Sequence, residues 1–340
     1  MLQKKTPWLI VFILLVACGG SERDLRFINL RGQVFGTFYS VSYYCPDGKN
    51  YKQEIDSIFN VINQSMSYYI PTSVISRVNR NETDTVDEHF AIVLRRSLEI
   101  AAQTEGAFDP TIGPLVNAWG FGFERRKDMT SALIDSLKRK VGYERVQLVG
   151  QRVIKEIPEI QFDFNAIAKG YASDVVGDFL ASKGVETYMV EIGGDLVARG
   201  LKPDGSAWRI GLERPAENEA APQHWDYLVE MHNRAVATSG STRKYYEEGG
   251  QRFSHTIDPK TGKPVMHNLL SVSVFADDCM TADAFATAFM VMGMEKAKSF
   301  LEQQPNLDAF FIFDEGNQKF GTWKSEGIAV VPREEIERNR

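Results

Sequence analysis

The sequence is poor in the residues that make disulfide frameworks and zinc clusters. It contains three cysteines and five histidines among 340 residues. Only Cys45 and Cys279 lie beyond residue 18. Two cysteines are too few for a disulfide framework or for a cysteine-rich zinc site. They can form a single disulfide bond or serve as small buried apolar residues, and the sequence leaves both open.

The chain also has no excess of positive charge. Its formal net charge is −6, and loss of residues 1–17, which contain Lys4 and Lys5, would lower it to −8. Proteins that bind nucleic acid present a basic face to the phosphates. We therefore expect no nucleic-acid partner.

The common nucleotide-binding and metalloprotease motifs are missing as well. The sequence has no G-x-G-x-x-G fingerprint, no G-x-x-x-x-G-K-[ST] loop and no H-E-x-x-H pair. Each of these motifs provides a specific device for phosphate or zinc. An enzyme with this sequence that acts on a nucleotide must hold the phosphates in another way.

One long apolar run is present, at residues 8–17, preceded by Lys4 and Lys5. It is shorter than the ~20 residues that a membrane-spanning helix needs and has the length of a signal-peptide core. Residues 15–18, Leu-Val-Ala-Cys, resemble a bacterial lipobox. The resemblance implies cleavage after residue 17, acylation of Cys18 and anchoring to the cell membrane on its extracytoplasmic side. The alternative is an ordinary signal peptide with a chance cysteine. We expect a tether at 18–27 and one domain at 28–340.

Hydrophobic periodicity predicts an α+β fold, because helical and strand patterns are mixed without strict alternation. Helices are predicted at 51–66, 87–103, 130–141, 166–183, 280–292 and 295–303. Strands are predicted at 33–45, 145–149, 152–157, 160–164, 186–192, 196–200, 207–212, 226–231, 233–238, 253–257, 271–276 and 308–313. Residues 106–123 are rich in Gly, Pro and aromatic residues and are predicted to form a loop.

Two segments combine an unusual backbone with polar groups. In residues 106–115, two glycines and two prolines surround Asp109 and Thr111; this is a structural turn or a functional loop. In residues 163–170, a predicted strand enters a helix next to Lys169. The free amides at such a helix start can bind a pyrophosphate, or the segment is simply a capped helix with a surface lysine.

Two further segments carry candidate reactive groups. His255 lies just before an Asp-Pro turn and is either a general base or a structural histidine. Asp283 and Thr287 are four residues apart, so they share one face of a predicted helix. A carboxylate and a hydroxyl suit a hard cation such as Mg²⁺. The alternative is an aspartate that interacts with the helix dipole.

Taken in order, these segments resemble the ApbE family of FAD:protein FMN transferases. The resemblance extends over about residues 32–293. Its motifs here are Phe35-Gly36-Thr37, Ser67-Tyr68-Tyr69 with Asn79, the Phe-Asp-Pro-Thr-Ile-Gly-Pro loop at 108–114, Asp-Phe-Asn-Ala-Ile-Ala-Lys-Gly-Tyr at 163–171, Glu191 to Asp195, Ala237 to Ser241, His255 to Gly262 and Thr-Ala-Asp-x-x-Ala-Thr at 281–287.

The resemblance implies a single mixed α/β domain of the ApbE type, two-lobed and T-fold-like, with FAD bound between the lobes. It implies Mg²⁺ bound by the Ala166 carbonyl and by the side chains of Asp283 and Thr287. It assigns catalytic roles to His255 and Asp283. It places flavin contacts at Phe35, Tyr69, Ala107, Phe108, Asp109, Asp163, Lys169 and Ile257. The family usually has Met where this chain has Phe35, so the wall facing the flavin should keep its apolar character with a different shape.

The implied reaction transfers the FMN part of FAD to a Thr or Ser hydroxyl of a partner flavoprotein, such as a subunit of a membrane redox pump, and releases AMP. Two alternatives remain at this point. The same metal site could hydrolyse FAD to FMN and AMP, or the chain could be a flavin-binding lipoprotein without activity. A metal-ligand pair near a histidine argues against storage alone.

Overall fold

The structure is a computed structural model that describes residues 25–122, 125–213, 225–240, 245–248, 251–254, 256–316 and 319–338. The helices are α1 (Lys52–Met66), α2 (Val74–Asn79), α3 (Glu88–Gln103), α4 (Gly113–Ala118), α5 (Ser131–Lys138), α6 (Ala168–Ser182), α7 (Cys279–Met292), α8 (Met294–Leu301) and α9 (Arg333–Arg338).

The strands are β1 (Arg26–Val34), β2 (Thr37–Cys45), β3 (Val146–Val149), β4 (Arg152–Lys155), β5 (Thr187–Ile192), β6 (Asp195–Arg199), β7 (Trp208–Glu213), β8 (Trp225–Met231), β9 (Arg234–Gly240), β10 (Tyr245–Glu248), β11 (Gln251–Ser254), β12 (Ile257–Asp258), β13 (Lys263–Pro264), β14 (Leu269–Ala276), β15 (Asp308–Gly316), β16 (Lys319–Lys324) and β17 (Val330–Pro332).

The centre of the fold is an eight-stranded sheet with the order β1-β2-β5-β6-β9-β14-β15-β16. Neighbouring strands in this sheet run antiparallel. Helices gathered on one face of an antiparallel sheet define an α+β architecture. The predicted fold class is therefore confirmed.

The main core lies between this sheet and helices α1, α3, α6 and α7. Helix α7 is apolar almost all round, and ten of its residues are buried, which is the pattern of a helix enclosed on every side. Polar side chains on such a helix have little access to water, so they need partners within the protein. Asp283 is one of these side chains and is 4% exposed.

A second apolar cluster covers part of the opposite face of the central sheet. Here the three-stranded sheet β17-β8-β7 packs through Trp208, Ile210 and Val229 against Leu196 and Phe310. A third, smaller cluster joins α4 and α5 to the segment that contains Ile257. Within the described residues, no helix combines the length and apolar character needed to cross a bilayer.

The predicted strand at 33–45 is wrong in one respect, because the chain turns back on itself inside it. Phe35 and Gly36 have φ values of 51° and 75°, and Val34 pairs with Thr37. A two-residue turn with positive φ at both central positions matches the right-handed twist of a hairpin. Gly36 adopts this conformation freely. For Phe35 the conformation is strained, because a bulky residue rarely has a positive φ.

Other differences concern short elements. Residues 160–164 were predicted to form a strand, but they form none in the described structure. Gln161 makes only an isolated bridge with Ile112. The predicted loop at 106–123 contains helix α4, and helix α2 lies in a segment where no helix was predicted. The predicted strand at 253–257 is replaced by the separate strands β11 and β12, with residue 255 outside the described residues. Cys45 and Cys279 are free and buried, so they act as small apolar residues.

Candidate active site

Asp283 and Thr287 lie on the same face of α7, as their spacing predicts. The helix begins where Asp278 accepts a hydrogen bond from the Thr281 amide at 2.7 Å. Asp174, on α6, accepts bonds from the amides of the first two residues of α7 at 2.9 and 2.8 Å. These bonds satisfy amides that a helix start leaves without partners, and they fix α7 against α6.

Gly170 allows α6 and α7 to meet closely. A Cβ atom at this position would overlap the carbonyl of Cys279, so only glycine fits without a shift of the backbone. The Gly170 amide donates a hydrogen bond to Asp283 Oδ2 at 3.1 Å. This bond ties the carboxylate on α7 to the segment that carries Ala166, a half-buried residue packed against the main core.

A lysine and two carboxylates meet beside that bond. Lys169 donates a short hydrogen bond to Asp195 Oδ2, and its Nζ lies 3.5 Å from Asp283 Oδ2. Burial alone would lower the pKa of Lys169, but the two carboxylates raise it well above its usual value. Burial and the Asp195 charge raise the pKa of Asp283 to about 7. The cluster carries one positive and two negative charges when ionised, and this uncompensated negative charge favours a cation.

Thr287 is oriented from the opposite side by strand β9. Its hydroxyl lies 3.1 Å from the Ser239 hydroxyl, within hydrogen-bond distance. The Thr238 amide donates to Asp195 Oδ1 at 3.2 Å, and the Thr238 hydroxyl pairs with Ser273 at 2.8 Å. Strand β9 therefore contacts both the threonine and the carboxylate that holds Lys169.

This donor set fits a hard divalent cation. A buried carboxylate and a hydroxyl on one helix face supply the oxygen ligands that Mg²⁺ prefers. Among the described residues, no three His, Cys, Asp or Glu side chains are grouped so that they could hold a metal by themselves. A cation held here would need backbone or substrate oxygens in addition, and the use of the Ala166 carbonyl stays a prediction.

Asp109 organises the loop before α4. Its carboxylate accepts bonds from the Thr111 amide at 2.8 Å, the Thr111 hydroxyl at 2.6 Å and the Tyr143 amide at 3.1 Å. Burial raises the pKa of Asp109 to about 6, although these bonds oppose the shift. Ala107 and Phe108 are buried beside it. The glycine- and proline-rich segment is thus a closed turn built around one buried carboxylate.

Asp163 lies close to that loop, since its amide donates to the Pro110 carbonyl at 2.9 Å. Burial raises the pKa of Asp163 to about 6, against a hydrogen bond from the Asn165 amide. The Asn165 side chain donates to the Tyr68 hydroxyl at 2.6 Å. The rings of Tyr68 and Tyr69 lie 4.5 Å apart, and Tyr69 is 62% exposed. The half-buried Tyr68 and the exposed Tyr69 are thereby joined to the segment at 163–165, in which Asp163 and Phe164 are buried.

The remaining predicted site residues are placed differently. The Phe35 ring is half-buried and makes an edge contact with Phe59 at 5.9 Å. Ile257 is buried in the third apolar cluster, beside Trp119. His255 lies outside the described residues, so its role stays a prediction.

The sequence did not assign a role to Asp195, Ser239 or Asn165, although all three lie in the motifs that carried the family resemblance. Asp195 directly follows a Gly-Gly pair with φ values of 59° and 94°. The sequence signal for Asp195 was its position directly after a glycine turn, at the start of a strand. This signal did not identify Lys169 as the partner of Asp195, because Lys169 is 26 residues away in sequence.

Comparison with known proteins gives one consistent result. The family model described as the ApbE family matches residues 35–311. The chain is 39% identical over 307 residues to the FAD:protein FMN transferase of Vibrio cholerae, with 87% of this chain and 90% of the relative covered. It is 36% identical to the Escherichia coli K12 protein of the same description, with 87% and 86% covered.

Solved structures agree with these relatives. A structure of the flavin transferase ApbE from Vibrio cholerae superposes with a TM-score of 0.79 at 36% identity, covering 89% of this chain and 98% of that one. The apo form of the Pseudomonas stutzeri flavinyl transferase ApbE gives a TM-score of 0.79 at 34% identity, covering 89% and 95%. The likeness extends over nearly the whole of each solved chain.

Proposed function

The chain belongs to the ApbE family, and we propose that it is an Mg²⁺-dependent FAD:protein FMN transferase. The observation that carries this proposal is the arrangement of Asp283 and Thr287 on one face of α7, with Gly170 bonded to the first and Ser239 to the second. Two hard oxygens are thus oriented from two other elements, next to the cation of Lys169.

In the proposed reaction, the oxygen of an acceptor Thr or Ser hydroxyl attacks the phosphorus of the FMN half of FAD. A new O–P bond forms, the P–O bond of the pyrophosphate breaks, and AMP leaves with the electron pair of that bond. The hydroxyl proton passes to a base. The acceptor then carries FMN through a phosphodiester. Catalysis of such transfers consists mainly of positioning and charge neutralisation.

The chain's own residues divide these tasks. Asp283 and Thr287, with the Ala166 carbonyl, would hold the cation. A Mg²⁺ ion there would withdraw charge from the pyrophosphate and so favour departure of AMP. Lys169 supplies a fixed positive charge beside the phosphates, while Asp195 keeps its ammonium group in place. His255 is the proposed base for the acceptor hydroxyl.

The flavin itself is proposed to lie against the Tyr68–Tyr69 pair and the loop at 107–109. An isoalloxazine ring needs an apolar, often aromatic, surface. The exposed ring of Tyr69 offers such a surface. Asp109 and Asp163 support the loops from beneath, because both are buried and hydrogen-bonded within them.

We also propose that the chain works on the extracytoplasmic side of the cell membrane, anchored through acylated Cys18, on acceptor flavoproteins such as redox-pump subunits. The support is the lipobox-like Leu-Val-Ala-Cys at 15–18. Expression of Cys18→Ser with radiolabelled fatty acid tests the anchor. We expect loss of label and release from the membrane fraction, whereas a labelled, membrane-bound variant would contradict the anchor.

Incubation of the purified chain with FAD, Mg²⁺ and an acceptor domain that carries a threonine site tests the function. Covalent flavin on the acceptor, with AMP released in equal amount, is the expected product. Free FMN with an unmodified acceptor would indicate a pyrophosphatase instead. Unchanged FAD would indicate a flavin-binding protein without transferase activity.

A further inference from the structure

Asp195 is a buried carboxylate that takes no direct part in the proposed reaction. It is 1% exposed and is the first residue of β6, directly after the Gly193-Gly194 turn. One carboxylate oxygen accepts the Thr238 amide at 3.2 Å, and the other accepts Lys169. A buried charge with two partners in fixed directions holds those partners in place.

The second observation is the position of the Lys169 ammonium group between two carboxylates. Lys169 Nζ bonds directly to Asp195 and stands 3.5 Å from Asp283 Oδ2. An ammonium group has three donors and can serve either carboxylate. The Lys169 side chain is 30% exposed, so its charge is partly desolvated and is stabilised by pairing with one of them. If Asp195 were neutral, Asp283 would be the nearest remaining carboxylate for the lysine.

We infer that Asp195 is a positioning residue that keeps Lys169 from forming a full ion pair with Asp283 and so leaves the Asp283 carboxylate free to bind the divalent cation. The inference rests on the proposed metal site. Without Asp195, Lys169 competes with the metal for the same carboxylate, and a metal ion can bind only by displacing the ammonium group.

Through Thr238 the same residue acts on the other ligand. The Thr238 amide is bonded to Asp195, and the next residue, Ser239, contacts the Thr287 hydroxyl. Asp195 therefore fixes the part of β9 that orients Thr287. An Asp195→Asn substitution keeps an oxygen for the Thr238 amide but removes the charge that holds Lys169, so it separates these two effects.

A double-mutant cycle between positions 195 and 169 tests the inference. Mn²⁺ affinity is measured by EPR for wild type, Asp195→Asn, Lys169→Met and the double variant, each with FAD present and the Mn²⁺–FAD blank subtracted. We expect Asp195→Asn to weaken Mn²⁺ binding by about tenfold more when Lys169 is present than in the Lys169→Met background, a loss typical of a displaced partner of a metal ligand.

Equal losses in the two backgrounds would overturn the inference, because they would mean that Asp195 attracts or binds the cation directly. Absence of Mn²⁺ binding by wild type would overturn the proposed metal site and the inference together. Asp56→Asn is the matched control, since Asp56 forms a half-buried pair with Lys52 at 2.8 Å on α1; it should leave Mn²⁺ affinity unchanged. Thermal unfolding of each variant verifies folding, and Lys169→Gln provides a second background.

Discussion

The hydroxyls of Ser239 and Thr287 lie 3.1 Å apart, which joins strand β9 to the proposed metal-binding face of α7. Removal of the first hydroxyl leaves Thr287 free to rotate away from the cation. We expect Ser239→Ala to weaken Mn²⁺ binding by roughly tenfold, as is typical when a partner of a metal ligand is lost. EPR titration of free Mn²⁺ measures the change.

Ser273→Ala is the control for that variant. It removes a hydroxyl from the neighbouring strand β14, where Ser273 pairs with Thr238, but it does not touch Thr287. Its Mn²⁺ affinity should stay close to that of wild type. If the two variants lose affinity equally, the Ser239 contact has no specific role in orienting Thr287.

Tyr69 should contribute to flavin affinity without contributing to stability. Its ring is 62% exposed, so Tyr69→Ala removes little buried surface and should change the free energy of unfolding by about 0.5 kcal/mol or less. Loss of one aromatic face from the flavin should weaken FAD binding by about tenfold. Fluorescence titration of FAD and urea unfolding measure the two effects.

Phe27→Ala is the matched variant for Tyr69. Phe27 is 54% exposed and lies near the start of β1, whereas Phe35, a predicted flavin contact, follows the end of that strand. Unchanged FAD affinity is expected for Phe27→Ala. A Tyr69→Ala variant that binds FAD as wild type does would remove Tyr69 from the site.

Asp109 is expected to stabilise the conformation of the loop that contains it. Its three hydrogen bonds need two acceptor oxygens, and the amide group of Asn offers only one. Asp109→Asn should therefore leave a buried donor without a partner and lower the free energy of unfolding by about 1–3 kcal/mol. Urea unfolding measures this loss. Thr111→Ser keeps the hydroxyl donor, so its free energy of unfolding should fall much less. If both variants are destabilised equally, the bonds to Asp109 are not the cause of the lost stability.

Asp174 gives the fold a specific dependence on pH. Burial raises its pKa to about 7, while bonds from the amides of Cys279 and Met280 oppose the shift. A carboxyl group whose pKa is higher in the folded state contributes stability below its unfolded pKa, and this contribution is lost as pH rises through about 7. Between pH 5 and 8, wild type should therefore lose about 1–3 kcal/mol relative to Asp174→Asn.

Urea unfolding of both proteins at pH 5, 6.5 and 8 measures that difference. Asp178→Asn is the control, because Asp178 is exposed one turn later on the same helix. Its stability should follow the wild-type pH dependence. Parallel curves for wild type and Asp174→Asn would contradict the account of Asp174.

Sequence periodicity was sufficient for the long elements of this fold. Helices α1, α3, α6 and α7 lie within two residues of their predicted ends, because each carries a sustained apolar pattern. Short elements were missed where local signals were weak. Helix α2 has six residues, and its one clear start signal is Ser73, whose hydroxyl oxygen accepts a hydrogen bond from the Ser76 amide.

The β1–β2 hairpin was missed for a different reason. Strand-forming residues continue through Phe35, and a bulky residue with positive φ contradicts local propensity. The turn is imposed by pairing of β1 with β2 and of β2 with β5. Strand pairing therefore overrides the local backbone preference of Phe35, a residue that the family resemblance assigns to a flavin contact.

The site was predictable where its residues are close in sequence and not where they meet across the fold. The i, i+4 spacing of Asp283 and Thr287 was enough to predict a shared helix face. The contact between Lys169 and Asp195 joins α6 to β6 through the packing of the whole core. No local pattern encodes such a contact, so the role of Asp195 emerged only from the structure.

The central claim is that Asp283 and Thr287 hold the cation that binds together with the pyrophosphate of FAD. Calorimetric titration of FAD into wild type and Asp283→Asn, with and without Mg²⁺, tests it most directly. The account predicts that Mg²⁺ tightens FAD binding to wild type, that FAD tightens Mg²⁺ binding by the same factor, and that Asp283→Asn abolishes both effects. FAD affinity that is independent of Mg²⁺, together with flavin transfer that continues in excess chelator, would contradict it.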